Sequence, residues 1–264
     1  MIQLAIVGVL VFAVALTMTM VGKGGGNFYV VILALAGVPM HEAATTGQFM
    51  LFSASVAAMI IFHRNRFLSW SLAVIVGTLT ALSALAGGYC SHGFSGFSLK
   101  ILFAVMLIVA GGVMLVRVRE RPVGAGPRPW GVLPVRSGEA TYRVNLWVAV
   151  PVTVLTGLAS GMVGVSGGSF LVPLMVLACG VPMHMAVGTA SMLIATSSFM
   201  GFAGHALQGD FNPAWAVPLA VVAIAGGLLG GRFALKTRPK HLKQLFAYTN
   251  WLAAGFMLMN AIFS

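Results

Sequence analysis

The chain has 264 residues, of which 59% are apolar and only 7% are charged, and its formal net charge is +11. Soluble globular proteins carry about 25% charged residues, so this composition excludes a water-soluble domain and predicts an integral membrane protein. The sequence has only four acidic residues and contains no HExxH or Walker motif, so it does not favour an enzyme. The positive charge fits basic loops on one side of a membrane better than a nucleic-acid interface.

Apolar runs long enough to cross a hydrocarbon core of about 30 Å recur along the whole chain. The first run lacks a basic leader and a small-residue cleavage site, so it predicts a retained span rather than a signal peptide. Two shorter runs, 27–39 and 170–182, each follow a glycine stretch, and about 13 helical residues reach only about 20 Å. The predicted full-length spans are 3–22, 44–62, 68–88, 99–117, 144–163, 186–205, 214–234 and 244–263.

The two halves of the chain are related by a constant shift of 143 positions. This shift carries Gly24-Gly25 onto Gly167-Gly168 and Gly37 to His41 onto Gly180 to His184, with nine identities in the 23 positions from 24 to 46. One offset held over a long stretch indicates an internal duplication. The sequence therefore predicts a first membrane repeat at 1–117, a linker at 118–143 and a second membrane repeat at 144–264. The linker is rich in Pro, Gly and Arg, so we expect a cytoplasmic loop with little regular structure.

The basic residues indicate whether the short runs cross the membrane. They cluster at Arg64 and Arg66, between 117 and 143, and between 232 and 243. If the short runs cross, all three clusters share one side, with 13 basic residues there and Lys100 alone opposite (Lys23 lies in a glycine stretch and is left out). The positive-inside rule favours this arrangement. It predicts an all-α polytopic protein of ten segments, with both termini outside and two inverted-topology repeats of four full spans and one short half-helix each, as in many secondary transporters.

The glycine stretches are the predicted site of chemistry. Glycines leave backbone N–H groups accessible, and a helix N-terminus carries about half a positive charge. Inverted repeats would bring the two N-termini toward one cavity, and half-helices that are too short would place each about 10 Å inside the bilayer. Lys23, Asn27, Ser166 and Ser169 add hydrogen-bond donors. As alternatives, the glycines serve close helix packing and the lysine snorkels to the membrane face.

Polar side chains open the segments that follow the short runs. Their hydroxyl and amide groups can replace the water shell of a small anion, or the hydroxyls can bond to the helix carbonyls four residues earlier. The predicted substrate-binding set is Lys23, Gly24, Gly25, Gly26, Asn27, Thr45, Thr46, Gln48, Ser166, Gly167, Gly168, Ser169, Thr189 and Ser191. The repeat-equivalent His41 and His184 are candidates for proton coupling, or they lie near lipid headgroups with no such role. No catalytic residue, metal ligand or cofactor is predicted.

The motifs in the two halves have a recognisable form. The second half reads Gly164-Val165-Ser166-Gly167-Gly168, then Pro173, then Ala186 to Ser191, and the first reads Gly22-Lys23-Gly24-Gly25-Gly26, then Ala43 to Thr46. This pattern resembles the sulfite exporter TauE/SafE family of membrane permeases, which typically show a glycine tip, a proline in the next run and A-x-x-T-S or similar once per half. The first half departs from it at Val30, where the second half has Pro173.

The residues themselves predict a permease for an anion. The resemblance implies that the anions contain sulfur, such as sulfite, organosulfonates, sulfolactate or sulfoacetate, and that they are exported from the cytoplasm across a bacterial inner membrane. A passive anion channel, a metal-ion permease using Met and His, and a non-transporting scaffold stay open as alternatives. The expected partners are the anion and membrane lipid, without nucleic acid, and a homodimer stays open.

Overall fold

The computed structural model describes residues 2–90, 96–115, 131–137, 140–163, 168–177, 180–206 and 211–263. Within these residues the chain forms ten helices and one two-stranded hairpin. The elements are α1 (Ile2–Met20), α2 (Gly26–Leu35), α3 (Met40–Arg64), α4 (Trp70–Cys90), α5 (Gly96–Leu115), β1 (Val132–Ser137), β2 (Ala140–Asn145), α6 (Leu146–Val163), α7 (Gly168–Leu177), α8 (Met183–Ala206), α9 (Pro213–Lys236) and α10 (Pro239–Phe263).

Three helices among the described residues are long and apolar enough to cross a membrane. They are Glu42–Arg64 in α3, Met183–Ala203 in α8 and Pro213–Lys236 in α9. Each coincides with a predicted full-length span. The other five predicted spans coincide with α1, α4, α5, α6 and α10, and their crossing of the membrane stays a prediction.

Large apolar side chains are exposed on several of these helices. Val9 on α1, Leu155 on α6, Met200 on α8 and Leu252 on α10 are each more than 60% exposed. Soluble monomers rarely expose large apolar patches, and such patches mark contact with membranes or other proteins. The exposed apolar surface therefore agrees with an integral membrane protein.

The linker prediction was wrong in one respect, because part of the linker forms an antiparallel hairpin. β1 pairs with β2 from Val132 opposite Asn145 to Ser137 opposite Ala140. The strand sequences VLPVRS and ATYRVN contain β-branched residues on both sides of Gly138 and Glu139. Two such runs separated by a glycine-containing pair are a hairpin signal, which the count of prolines and arginines obscured.

The chain forms two compact units, and each combines helices from both sequence halves. Unit 1 comprises 1–67 and 187–237, and unit 2 comprises 68–186 and 238–264. In unit 1, α9 from the second half packs against α1 and α3. In unit 2, α4 from the first half packs against α6. Helices α4 and α9 are repeat equivalents, and each thus packs against helices of the other sequence half.

The same helix crossing recurs inside each unit. In unit 1, a Cβ on Gly226 would lie 2.5 Å from the Cβ of Ala15, so α9 and α1 are in close contact there. In unit 2, a Cβ on Gly157 would lie 2.6 Å from the Cβ of Ser83. Ser83 is the repeat equivalent of Gly226, and Gly157 is the equivalent of Val14, next to Ala15. Small residues permit such close approach of membrane helices, and the recurrence shows that the duplication extends to packing.

Unit 2 contains a direct contact between two repeat-equivalent positions. The indole N–H of Trp251 on α10 donates to the carbonyl of Ile108 on α5, with 3.3 Å between the heavy atoms and 143 residues between the two positions. Three residues further along α5, a Cβ on Gly111 would lie 2.7 Å from the Nε1 of Trp251 and 3.2 Å from the carbonyl oxygen of Ala247. As α5 advances, its contacts on α10 extend from Trp251 back to Ala247, which is the relation expected of antiparallel helices.

Helix directions in unit 1 follow from the contacts of α9 with α1. A Cβ on Gly226 would meet Ala15, and a Cβ on Gly230 would lie 3.1 Å from the Cβ of Thr19. Contacts that advance together along both helices mean that α1 and α9 run parallel.

The contacts of α9 with α3 show the same relation. Gly227 faces Ala54, and Gly231 faces Ile61, so α3 also runs parallel to α9 and therefore to α1. The chain between α1 and α3 must return to the starting end of the unit. Helix α2 makes this return, because Gly26 faces Leu51 and Gly47 faces Val30, which makes α2 antiparallel to α3.

Candidate anion site at the first glycine stretch

The first glycine stretch forms a tight loop between α1 and α2. The N–H of Lys23 donates to the carbonyl of Met18 at 2.9 Å, which closes the last turn of α1. Gly24 and Gly25 then adopt left-handed φ angles of +69° and +88°, a conformation that costs other residues about 1–2 kcal/mol. Helix α2 begins at Gly26, and Gly25 at its N-cap supplies no side-chain hydrogen bond. The first N–H groups of a helix have no partner within it, so this N-terminus is suited to an anion.

The loop lies near the middle of two membrane-length helices. A Cβ on Gly24 would touch the side chain of Leu51, and it would lie 3.0 Å from the Oγ of Ser55 and 3.2 Å from the Cγ2 of Ile194. Leu51 and Ser55 are central in the 25-residue α3, and Ile194 is central in the 24-residue α8. At 1.5 Å per residue these contacts lie about 15 Å from the ends of each helix. If α3 and α8 cross the bilayer, the N-terminus of α2 lies close to mid-depth.

The glycines are also needed for space. Besides the contacts at Gly24, a Cβ on Gly25 would lie 2.8 Å from Val14 and 3.3 Å from the Cζ of Tyr29. Both positions therefore combine a left-handed backbone with a neighbour closer than any side chain tolerates. The loop is packed against α1, α2 and α3, which fixes the direction of the α2 N-terminus.

Lys23 is enclosed by protein. Its residue surface is only 7% exposed, although lysines are almost never fully buried unless they are paired. The residue makes an interaction within the protein, and its side chain does not extend along an exposed surface, as a snorkelling lysine would. Lys23 thus places a hydrogen-bond donor beside a helix N-terminus, which itself carries a partial positive charge.

The hydroxyl groups in the predicted substrate-binding set differ in their hydrogen bonding. The hydroxyl of Ser191 donates to the carbonyl of Val187 at 3.0 Å, which is the back-bonding alternative considered above. The fully buried Thr46 is different, since its Oγ1 has no hydrogen-bond partner among the described groups. Thr45 and Thr189 are also fully buried, and each makes an interaction within the protein. An unsatisfied buried hydroxyl costs about 1–3 kcal/mol, so Thr46 is the hydroxyl of this group that a ligand would satisfy.

The structure places Thr46 and Thr189 at different levels of unit 1. α3 and α8 run antiparallel, because Phe52 contacts Phe199 while Gln48 approaches Gly201 near the start of α3. Thr46 therefore lies at the level of the C-terminal end of α8, and Thr189 lies at the level of the C-terminal end of α3. The two threonines do not lie side by side, although both were predicted to hold the same ligand.

The described part of the second stretch lies in unit 2. Gly168 and Ser169 open α7, and Gly168 is buried. Ser166 and Gly167 lie outside the described residues, as do the side chains of Asn27 and His41. His184 lies in the first turn of α8, is partly buried and makes an interaction within the protein.

Two polar residues at the first stretch were missed by the sequence reasoning. Ser55 is 2% exposed and Tyr29 is fully buried, and their hydroxyls find no partner among the described groups. A signal for Ser55 was present, because the 143-residue shift pairs it with Ser198. Tyr29 had no such signal, since its repeat equivalent is Val172.

A comparison with protein-family models identifies the chain. The model of the family "Sulfite exporter TauE/SafE" matches residues 6–257. The chain belongs to the sulfite exporter TauE/SafE family. The resemblance inferred from the glycine motifs is therefore confirmed over nearly the whole length.

The names of several relatives agree with this family. The "Probable membrane transporter protein YunE" of Bacillus subtilis is 22% identical over 258 residues, covering 93% of this chain and 94% of the relative. A "Probable membrane transporter protein" of Xylella fastidiosa is 26% identical, covering 83% of this chain and 81% of the relative. The Arabidopsis thaliana "Sulfite exporter TauE/SafE family protein 6" is 20% identical, covering 89% and 75%. No solved structure matches the chain.

Family membership and the apolar, membrane-length helices agree that this is an integral membrane protein of a transporter family.

Proposed function

We propose that this TauE/SafE protein is a secondary transporter that exports small sulfur-containing anions, such as sulfite or organosulfonates, by alternating access. The observation that carries the proposal is the N-terminus of α2, which lies at the middle of α3 and α8 beside the buried Lys23. A helix N-terminus at mid-depth attracts an anion through its N–H groups and its dipole. The sulfur chemistry comes from the family, whose description names a sulfite exporter.

Inverted repeats are part of the proposal. Repeat-equivalent helices run antiparallel in both units, α3 with α8 in unit 1 and α5 with α10 in unit 2. This is the relation that an axis in the membrane plane produces, and it supports two halves of opposite orientation. The return of the chain through α2 supports ten crossing segments with both termini outside. Reporter fusions at the C-terminus test this placement, and a cytoplasmic signal would contradict it.

The second glycine stretch and the histidines complete the proposal. By the duplication, Ser166, Gly167, Gly168 and Ser169 supply a second helix N-terminus for anion binding, and the unsatisfied hydroxyl of Thr46 aids binding at the first stretch. Proton coupling through His41 or His184 is proposed on the basis of their equivalent places in the two repeats.

Ligand-dependent thermal stabilisation of the detergent-purified full chain tests the proposed function. A ligand that binds only the native state raises its apparent stability. Sulfite, thiosulfate, taurine and sulfoacetate are compared with chloride, and nickel and zinc serve as cation controls. We expect a selective upward shift with at least one sulfur anion, followed by saturable uptake of that anion into proteoliposomes. A shift with the metals alone would contradict the proposal.

A further inference from the structure

Two buried side chains that carry hydroxyl groups, on different helices, pack against the first glycine stretch. The Oγ of Ser55 on α3 lies 3.0 Å from the position that a Cβ of Gly24 would take. The Cζ atom of Tyr29 on α2, which bears the phenol oxygen, lies 3.3 Å from the corresponding position at Gly25. Neither hydroxyl has a hydrogen-bond partner in the part of the chain that the structure describes. Because Gly24 and Gly25 are adjacent, both groups border the same short stretch of backbone.

Comparison with the repeat-equivalent serine shows that, of the two, only Ser55 has a hydroxyl without a hydrogen-bond partner among the described groups. Ser198 occupies the matching position on α8 and is equally buried, at 1% exposed compared with 2% for Ser55. Its hydroxyl donates to the carbonyl of Ile194 at 2.6 Å, four residues earlier. Serines inside membrane helices commonly satisfy themselves in this way. Ser55 has the same option toward Leu51 but does not use it, so its hydroxyl stays available at the glycine stretch.

The charges around the hydroxyls select an anion over a cation. Lys23 is buried in the same loop, and the N-terminus of α2 adds a partial positive charge. Glu42 is the only acidic residue in the described part of the chain, and it lies in the first turn of α3. Thirteen residues of helix separate it from Ser55, or about 20 Å. Among the described residues, a cation at the hydroxyls would therefore meet the positive end of the α2 dipole and no carboxylate.

We infer that Ser55 and Tyr29 form a hydroxyl subsite at the first glycine stretch, where both donate hydrogen bonds to the oxygen atoms of a sulfur oxyanion. This inference rests on the proposed function and adds two residues to its binding site. Both hydroxyls donate to the anion, and the N–H groups of the α2 N-terminus bind its remaining oxygens. The apolar side chains of Leu51 and Ile194 border the same loop and leave no space for a Cβ at Gly24, so the oxyanion binds there only when these side chains move away from the loop.

Matched substitutions in the full-length purified protein test the subsite. Ser55→Ala and Tyr29→Phe each remove one unsatisfied hydroxyl with little change in shape. Ser198→Ala removes the satisfied equivalent of Ser55, and Tyr248→Phe removes a phenol that is 60% exposed on α10. The dissociation constant of sulfite is measured by calorimetry for all four variants, and the unfolding temperature is measured without ligand. Chloride at equal ionic strength serves as the second probe.

We expect Ser55→Ala and Tyr29→Phe each to weaken sulfite binding about tenfold or more, as for a lost hydrogen bond to a charged group. Their unfolding temperatures without ligand should be unchanged or raised, because an unsatisfied buried hydroxyl is removed. Ser198→Ala and Tyr248→Phe should bind sulfite as the wild type does. Wild-type affinity in Ser55→Ala and Tyr29→Phe would overturn the subsite and leave the proposed function standing. Equal losses of sulfite and chloride affinity would also overturn it. Absence of any sulfur-anion binding by the wild type would overturn both proposals.

Discussion

Helices α2 and α7 hold equivalent places in the duplicated sequence but differ in their chemistry. Both have ten residues and both begin within a glycine stretch. The first stretch contains Lys23 and is followed by Tyr29, whereas the second has Ser166 and Val172 at these positions. Helix α7 is buried at eight of its ten residues, all of them glycine or apolar residues, and includes Pro173. The duplication thus preserved the length and the glycines, while the charge and the phenol occur only in the first copy.

This difference predicts that the first copy contributes more to the proposed anion binding than the second. The first copy brings a cation and unsatisfied hydroxyls to a helix N-terminus, and the second presents an apolar helix that packs against α5 and α6 in unit 2. Substitutions that exchange the features of the two copies, or remove them from one copy, therefore test which copy binds the anion.

Substitution of a glycine in the first stretch should have the largest effect. Gly25→Ala forces a left-handed conformation on alanine and brings its Cβ to 2.8 Å from Val14. Together the strain and the overlap should destabilise the protein by about 2–5 kcal/mol and abolish sulfite binding. The control is Gly8→Ala in α1, where a Cβ would meet no atom within 4 Å, so the unfolding temperature should not fall. An unfolding temperature and a sulfite affinity of Gly25→Ala equal to those of Gly8→Ala would contradict the described loop.

Replacement of Lys23 by the residue of the second stretch should have the next largest effect on sulfite binding. Lys23→Ser replaces the buried lysine with the residue found at the equivalent position, Ser166. Loss of a charged hydrogen-bond donor should weaken sulfite binding by about 1.5–3 kcal/mol, or roughly ten- to a hundredfold. Lys236→Ser, at the exposed end of α9, should leave the dissociation constant unchanged. If both variants bound sulfite with equal affinity, the charge difference between the copies would have no role in binding.

Removal of the Thr46 hydroxyl and removal of the Ser191 hydroxyl should differ by a smaller amount in sulfite affinity. Thr46→Val removes a hydroxyl without a partner among the described groups, whereas Ser191→Ala removes one that is bonded to the Val187 carbonyl. We expect Thr46→Val to weaken sulfite binding by about 1 kcal/mol, or roughly fivefold, and Ser191→Ala to have no measurable effect. Calorimetric titration of both variants measures the contrast. A larger loss of affinity in Ser191→Ala than in Thr46→Val would reverse this assignment.

Apolar periodicity and the internal repeat predicted much of the fold. The predicted short runs 27–39 and 170–182 correspond to α2 and α7, although α2 ends earlier, at Leu35. It ends there because Gly37 adopts a left-handed φ of +82° and the N–H of Val38 returns to the Leu33 carbonyl at 3.1 Å. Such a glycine closure is a common helix end, and the sequence contained it as Gly37-Val38-Pro39.

The exchange of α4 and α9 could not be predicted from span boundaries. Hydropathy shows how many segments cross, but it does not show which segments pack together, since lipid is as apolar as a neighbouring helix. The glycines at 226, 227, 230 and 231 contained the information, because each faces α1 or α3. Their spacing indicates a tightly packed helix, and only the structure shows its neighbours.

Ser55 and Tyr29 were overlooked for a similar reason. A serine in an apolar helix usually bonds to its own backbone, and a tyrosine beside a glycine stretch usually packs. The difference between Ser55 and Ser198 depends on one hydroxyl rotation in each copy, which residue identity does not encode. Lys23 and Thr46 were predicted because an ionisable or polar group in a membrane segment is functional by default.

Anomalous diffraction from crystals of the full chain with selenite, the heavier analogue of sulfite, tests the central claim most directly. The account predicts a selenium peak within about 4 Å of the backbone nitrogens of Gly25 and Gly26 and of the Ser55 Oγ, as hydrogen-bonded oxygens require. The peak should be lost in crystals of Lys23→Ser. A selenium peak that persists in Lys23→Ser, or that lies away from the first glycine stretch while sulfite competes for it, would contradict the account.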